Sequence, residues 1–510
     1  MAEERTADAS TRVAQLAGGQ RPPDAGWASR LGAVAWAPAL MLWSLAIRAP
    51  LFSLDGPDES FFTEVARLWA TGHPPYLAAF DVKPPGFFAL LVASQSVFGA
   101  NLIALRVLSV LSDGCAAVAL LAIGRRLGAP RGAAFAALMY PVLSAWIMGN
   151  DCYPVLTALE SLAFAAALGP LSPLARASLS GLAIGAAISV KQTAALEAVA
   201  LLATIVRADA CGDRRPAASG AFCLGAATIP LAFVAYFAAV GGLPQLVADA
   251  GLAALQRPGV DDASFAVLAA RAFTVLLRVG PLAPLAAVVA LARRSALAPA
   301  RPVAADAVAL WFAAALIEIL LHQVRWLTYL GPLLPSALIL TGAAAERLAA
   351  PRGTAAVALA AAVLAASILA CAFPVRIARF LAPFESVATA DATRAIATRA
   401  PEAGDRLLAI DFGGWLNVTT GLAPPTPFFH RLHLLCRFPG AGPERLDQAL
   451  AAKPRFVVRG RFMGKDTTCA DSSALARAGA ALATGYDRIG VFSGAAESYE
   501  LYEARPAPAP

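Results

Sequence analysis

Long apolar runs separated by short polar segments dominate the first three quarters of the sequence. A helix needs roughly 20 apolar residues to cross the hydrocarbon core of a bilayer, which is about 30 Å thick. The pattern therefore predicts a polytopic, all-α membrane region of about eleven spans, some of them short. The predicted spans lie near residues 31–49, 101–122, 132–149, 153–169, 178–190, 193–206, 217–240, 279–292, 304–320, 328–344 and 354–373.

The pattern changes near residue 376, where apolar runs shorten to strand length and alternate with helix-like stretches. Strands are predicted at 406–412, 455–458, 488–492 and 499–502, and helices at 443–452 and 472–486. Such an order is typical of a small α/β domain. We therefore divide the chain into an N-terminal tail (1–30), a transmembrane domain (31–375, with a first outer loop at 50–100) and a C-terminal α/β domain (376–510).

The amino-acid composition indicates that lipid, and not water, surrounds most of the chain. Hydrophobic residues make up 58% of the chain and charged residues only 15%, whereas soluble domains carry roughly 25% charged residues. The net charge of +7 does not indicate a nucleic-acid partner, because most arginines lie between apolar runs and form no single basic face. Instead, the positive-inside rule places these arginines in the cytoplasm together with the N-terminus. The first outer loop and the C-terminal domain are then extracytoplasmic.

The first outer loop carries the strongest candidate chemistry. Asp58 and Glu59 open a predicted amphipathic helix, where the helix dipole favours carboxylates. A corner formed by Lys83-Pro84-Pro85 follows, and the apolar run 86–98 is too short to cross a membrane. We therefore expect two interfacial helices joined by a corner that bears a cation. Charge capping alone would explain the two acidic residues, but it does not explain Lys83.

Other polar residues fall on the same predicted side of the membrane. They are Asp151, Lys191 and Arg325, and ionisable residues at membrane depth usually face a cavity or a partner. A turn-forming role for Asp151, snorkelling of Lys191 and interfacial anchoring by Arg325 remain open alternatives. The two cysteines of the C-terminal domain, Cys436 and Cys469, could form a disulfide if that domain is extracytoplasmic.

The order of these features resembles the polyprenyl-phosphate-sugar-dependent glycosyltransferases of the GT-C fold. Within them, the chain is most similar to glycosyltransferase family 39, which includes protein O-mannosyltransferases and lipid A aminoarabinose transferases. The likeness covers roughly residues 30–350, and Ser60 and Gly86 depart from the family's usual residues. It rests on Asp58-Glu59, Gly72, Lys83-Pro84-Pro85, Arg106, Gly181 to Gly185 before Lys191, and Arg325 to Leu330 with Pro332 and Pro335.

The resemblance implies a multi-pass enzyme of the bacterial inner membrane. It would transfer a hexosyl or pentosyl group, with inversion, from a polyprenyl-phosphate-linked donor to an envelope glycan, a lipid or a protein. By the same resemblance Asp58 is the catalytic base or acts by orienting the nucleophile, and Glu59 is a neighbouring orienting or binding residue. Asp151 resembles a second acidic position that contacts the acceptor or holds a basic partner. Lys83, Arg325 and Lys191 would bind the donor phosphate.

We expect no cofactor and no metal. A cationic side chain can stabilise the phosphate, and no carboxylate cluster at metal-ligand spacing is visible along the chain. Two other function classes stay open, a polytopic transporter and a non-enzymatic protein that handles polyprenyl lipids. The spans show no two-fold internal repeat, which disfavours the transporter.

Overall fold

The computed structural model describes residues 35–49, 57–208, 215–253, 302–321, 327–349, 387–402, 404–410, 415–435, 442–462, 472–493 and 497–506. Every predicted span within these residues contains a helix. The predicted spans near 279–292 and 354–373 lie outside the described residues, as do Arg325 and both cysteines of the expected disulfide.

Apolar helices build the larger part of the described structure. Four of them are long and apolar enough to cross a membrane, namely Leu102–Arg126, Pro173–Val190, Arg215–Ala239 and Val303–Leu321. In chain order the helices are α1 (Ala37–Arg48), α2 (Pro57–Ala70), α3 (Gly86–Phe98), α4 (Leu102–Arg126), α5 (Pro130–Ile147), α6 (Tyr153–Ala167), α7 (Pro173–Val190), α8 (Ala195–Ala208), α9 (Arg215–Ala239), α10 (Leu243–Leu246), α11 (Pro302–Leu321) and α12 (Leu333–Ala349).

Helices α7 and α9 approach each other closely along a glycine stripe. A Cβ atom added to Gly181 would lie 2.3 Å from the carbonyl oxygen of Phe222, and one added to Gly185 would lie 2.4 Å from that of Ala226. Small residues four apart let two helix backbones touch, as in membrane helix pairs. The Gly181 to Gly185 segment of the sequence therefore fixes α7, and the end of α7 places Lys191.

A buried ion pair joins the first helices of the bundle. The Arg48 Nε atom lies 2.5 Å from Asp113 Oδ2, and both side chains are fully buried. Arg48 also donates to Ser144 Oγ at 2.8 Å and to Asn150 Oδ1 at 3.0 Å. Removing one partner of such a pair typically costs about 3–5 kcal/mol. Arg48 thus ties α1, α4 and α5 to the turn that contains Asn150 and Asp151.

The C-terminal part contains a four-stranded sheet in the order β1-β2-β4-β3. The β1–β2 pair is parallel, and the other two pairs are antiparallel. All four predicted strands and both predicted helices are present. The elements are α13 (Val387–Ala397), β1 (Leu407–Ile410), α14 (Trp415–Thr420), α15 (Arg431–Leu435), α16 (Gly442–Ala451), β2 (Phe456–Phe462), α17 (Ser472–Gly485), β3 (Tyr486–Ser493) and β4 (Glu497–Ala504).

Helices cover both faces of this sheet, as alternation along β1 shows. Leu407 and Ala409 pack with α13 and α14, whereas Leu408 and Ile410 pack with α15, α16 and α17. Successive residues of a strand point to opposite faces, so a strand buried on both sides is apolar throughout. Helix α14 also packs against α2. The sheet layer therefore reaches the first outer loop.

Candidate active site

Helix α2 presents one acidic side chain outward and buries the next. Phe61, Phe62 and Val65 are buried, as the predicted amphipathic pattern requires. Asp58 in the first turn keeps 56% of its side chain exposed, whereas Glu59 keeps only 12%. Asp58 can therefore meet a substrate, and Glu59 faces the protein.

Glu59 links α2 to the helix bundle. Its Oε1 atom accepts a hydrogen bond of 3.2 Å from Asn150 Nδ2, and its Oε2 atom lies 3.6 Å from Arg106 Nε. Asn150 is in turn held by Arg48. This chain of contacts fixes the first turn of α2 and so the position of Asp58. Glu59 has the geometry of a positioning residue.

The C-terminal part supplies a partner for Asp58. The His430 Nε2 atom lies 3.0 Å from Asp58 Oδ1. Nearly buried, the His430 ring packs edge-on against Phe61 at 4.8 Å between ring centroids. His430 was not among the residues predicted from the sequence, where its one signal is an aromatic and histidine-rich stretch that includes Phe428, Phe429 and His433.

Lys83 is held at its corner by local contacts. Its backbone amide donates to Asp81 Oδ1 at 3.0 Å, and its carbonyl accepts from the Tyr76 hydroxyl at 2.6 Å. The ammonium Nζ lies 3.6 Å from Asp81 Oδ2 and 4.3 Å from the centroid of the Phe62 ring. With 26% of the side chain exposed, Lys83 can reach an anionic ligand while remaining anchored.

Lys83, Asp58 and Asp151 share one electrostatic environment. Burial lowers the pKa of the Lys83 ammonium, but the neighbouring acidic groups outweigh it, Asp81 foremost and then Asp151 and Asp58, so that this pKa lies above its usual value. Burial also raises the pKa of Asp151, against the opposing effect of Lys83, and Asp58 raises it further. Lys83 therefore carries its charge throughout the physiological pH range, beside two carboxyl groups.

The residue after the corner is a glycine for a steric reason. A Cβ atom on Gly86 would lie 2.5 Å from the carbonyl oxygen of Ser189 in α7. The side chain of Gln192 adds a second link, because its Nε2 atom donates to the carbonyl of Val82 at 2.8 Å. The Lys83 corner therefore packs closely against the end of α7, and only glycine fits at position 86 without displacing the Ser189 backbone.

Lys191 lies deeper than Lys83. Only 7% exposed, its ammonium hydrogen-bonds the Tyr153 hydroxyl. It also lies 4.0 Å from the ring centroid of Tyr153 and 4.8 Å from that of Tyr329. Because these aromatic rings enclose it, Lys191 is less accessible to an anionic ligand than Lys83. The described residues therefore bring Asp58, Glu59, Lys83 and Asp151 to one region, with Lys191 behind them.

Among the described residues, one acidic cluster lies inside the helix bundle. Glu160, Glu197 and Glu318 each offer a carboxylate oxygen, and these oxygens lie within 4.8 Å of one another. The three residues come from α6, α8 and α11. These glutamates are far apart along the chain, so the spacing of acidic residues in the sequence does not indicate that they lie together.

Solved structures share this fold. No family model and no curated protein matches the sequence. ArnT from Cupriavidus metallidurans bound to undecaprenyl phosphate is 17% identical, with a TM-score of 0.60 over 94% of this chain and 98% of that one. The oligosaccharyltransferase AglB from Archaeoglobus fulgidus, in complex with an inhibitory peptide and a dolichol-phosphate, is 12% identical, with a TM-score of 0.51 over 85% of this chain and 70% of that one.

At these identities the likeness establishes the fold alone, and membership of glycosyltransferase family 39 stays a prediction. The mostly helical architecture, its apolar helices and the match over nearly the whole length of ArnT agree with one another. The chain has the GT-C fold of membrane glycosyltransferases.

Proposed function

We propose that the chain is an integral membrane glycosyltransferase that uses a polyprenyl-phosphate-linked sugar as its donor. The observation that carries this proposal is the juxtaposition of an exposed carboxylate, Asp58, with the cation of Lys83, on a loop packed against a bundle of the GT-C fold. Undecaprenyl phosphate in the ArnT structure and dolichol-phosphate in the AglB structure support a polyprenyl lipid as the ligand. The acceptor is an extracytoplasmic envelope glycan, lipid or protein.

The transfer needs a base, a nucleophile and stabilisation of a leaving phosphate. Asp58 takes the proton of the acceptor hydroxyl while the oxygen of that hydroxyl bonds to the anomeric carbon of the sugar. The bond from that carbon to the phosphate oxygen breaks on the opposite face, which inverts the configuration. Lys83 stabilises the charge that grows on the departing polyprenyl phosphate. This step needs no metal, because the ammonium supplies the positive charge.

The remaining residues support this step. His430 holds Asp58 Oδ1, and Glu59 holds the helix turn on which Asp58 lies. We assign Asp151 to the acceptor side, since it acts electrostatically on both Lys83 and Asp58. Lys191 and Arg325 are the further candidates for contact with the donor phosphate.

Reconstitution in proteoliposomes tests the proposal. Undecaprenyl-phosphate-linked hexoses and pentoses are offered together with lipid A, peptide or glycan acceptors, and sugar transfer is measured. Asp58→Asn should lower transfer by roughly 10²–10⁴-fold but retain donor binding. The matched control is Asp391→Asn, which changes a carboxylate that pairs with the exposed Arg394 on α13 and should transfer normally.

The other function classes predict different results. A transporter would move solute without sugar transfer, and a lipid-handling protein would bind the donor without consuming it. Intact transfer by Asp58→Asn would refute the assignment of the base. Analysis of envelope glycans in cells that lack the protein would identify the acceptor class.

A further inference from the structure

The glutamate cluster lies on three helices of the bundle, whereas Asp58 lies on helix α2 of the first outer loop. Glu160, Glu197 and Glu318 are fully buried. Glu160 lies two turns from the start of α6, Glu197 in the first turn of α8, and Glu318 in the last turn of α11. Three helices that are distant in sequence therefore direct one carboxylate each to a common point.

A second observation indicates that a ligand belongs there. All four carboxylate oxygens of Glu160 and Glu197 are buried without a hydrogen-bond partner. A buried polar group without a partner is costly, and an ionised one is far more so. The Thr193 hydroxyl donates to the Oε1 atom of Glu318, so a protein group bonds one oxygen of the third carboxylate.

Charge and spacing specify the ligand. Lys191 is close enough to attract all three carboxylates, yet one ammonium balances only one of them. A divalent cation would balance the remaining two. Oxygens on opposite sides of a Ca²⁺ ion are roughly 4.6–5.2 Å apart, since each lies about 2.3–2.6 Å from the metal. The three carboxylate oxygens lie within 4.8 Å of one another, so all of them can contact one such ion.

We propose that Glu160, Glu197 and Glu318 bind one divalent cation of the hard, oxygen-preferring class, of about the size of Ca²⁺. The ion joins α6, α8 and α11 and supports the turn that carries Lys191. It is a structural ion, separate from the transfer step, for which Asp58 and Lys83 suffice. The inference does not depend on the proposed function.

Metal binding by the purified full-length protein in nanodiscs tests this site directly. After chelation, Mn²⁺ is titrated and followed by electron paramagnetic resonance, and Ca²⁺ is tested as its competitor. We expect one Mn²⁺ per chain that Ca²⁺ displaces, and a rise in Tm of roughly 3–6 °C at saturating Ca²⁺. Glu160→Gln and Glu197→Gln should each lower the affinity at least tenfold.

Two variants separate this site from other carboxylates. Glu346→Gln changes a glutamate of α12 whose Oε2 accepts from the amide of Gly132 at 2.9 Å, and it should keep the Mn²⁺ signal. Asp58→Asn should also keep it. If Asp58→Asn lost the signal and Glu160→Gln kept it, the ion would belong to the transfer site and the inference would be wrong.

Wild-type protein alone can also decide the question, should the glutamine variants fail to fold. Native mass spectrometry should find one Ca²⁺ per chain after addition of Ca²⁺ and none after chelation. Absence of a bound ion, together with a Tm that Ca²⁺ does not change, would overturn the proposal. The three carboxyl groups would then be neutralised by protons. The proposed sugar transfer would not be affected, because the Asp58→Asn variant tests it separately.

Discussion

Replacing His430 with glutamine tests how the C-terminal part takes part in transfer. A hydrogen bond to a charged group contributes roughly 1.5–3 kcal/mol. Because Asp58 is 56% exposed, solvent screening reduces this to about 1 kcal/mol. At about 1.4 kcal/mol for each factor of ten, His430→Gln should lower kcat/KM about fivefold. Loss of the base itself in Asp58→Asn should cost roughly 10²–10⁴-fold.

The assay is a double-mutant cycle on sugar transfer in proteoliposomes. If His430 acts by holding Asp58, the glutamine variant should cause little further loss in the Asp58→Asn background. His433→Gln is the matched control. His433 is also nearly buried, and its ring packs against the same Phe61 at 5.7 Å between centroids. We expect this control to change the rate less than about twofold, in the range of an ordinary packing change.

Two results would refute this reasoning. An equal loss in His433→Gln would show that ring packing on Phe61, and not the bond to Asp58, sets the rate. Fully additive losses for His430→Gln and Asp58→Asn would show that the two side chains act independently. In either case His430 would lose its assignment as a positioning residue.

Three further predictions concern the first outer loop. Lys83→Met should raise the KM for the donor about tenfold or more by removing a charge-assisted contact to phosphate, whereas donor kinetics unchanged from wild type would exclude Lys83 from that contact. Gly86→Ala should cost about 1–3 kcal/mol because its Cβ would overlap the Ser189 carbonyl; Gly220→Ala, with open space around it, should show no such loss in Tm. Burial raises the pKa of Glu64 from 4.5 to about 7. The stability that protonated Glu64 contributes is therefore fully present below about pH 4.5 and is lost as the pH rises through about 7. The Tm of wild type minus that of Glu64→Gln should thus be larger near pH 5 than near pH 8, and a difference that does not change with pH would contradict this pKa.

Much of the architecture could be predicted because it follows from local patterns. Long apolar runs gave the helices of the bundle, and apolar runs of strand length between turn-forming and helix-like segments gave the four strands of the C-terminal sheet. The helical spacing of Phe61, Phe62 and Val65 gave the buried face of α2. Asp58 and Lys83 could be singled out because a carboxylate and a cation in an otherwise apolar chain need a reason to be there.

What could not be predicted depends on contacts between distant segments. His430 is 372 residues from its partner Asp58, and no periodicity connects the two. The pairing of Arg48 with Asp113 could not be predicted for another reason. Each residue lies at or within an apolar run, and the mean hydropathy of such a run hardly changes when it contains a single charge. The metal-like spacing of the three buried glutamates exists only after α6, α8 and α11 have packed.

The contact between the sheet layer and the first outer loop makes the C-terminal part a wall of the site. The Phe80 amide donates to the Pro427 carbonyl at 3.0 Å, and the Phe80 ring packs on Phe428 at 5.1 Å between centroids. The Arg445 guanidinium lies 4.0 Å from the centroid of the Phe428 ring and 5.7 Å from that of the Phe80 ring. These contacts hold the segment that carries His430.

Phe428→Ala should therefore lower transfer several-fold. Loss of the ring removes the contacts that fix His430 relative to the first outer loop, and misplacement by about 1 Å can reduce rates strongly. Phe428→Tyr keeps the ring and should retain activity. Equal rates for the alanine variant and wild type would mean that His430 is positioned by α15 alone, and that the sheet layer contributes to the fold without contributing to transfer.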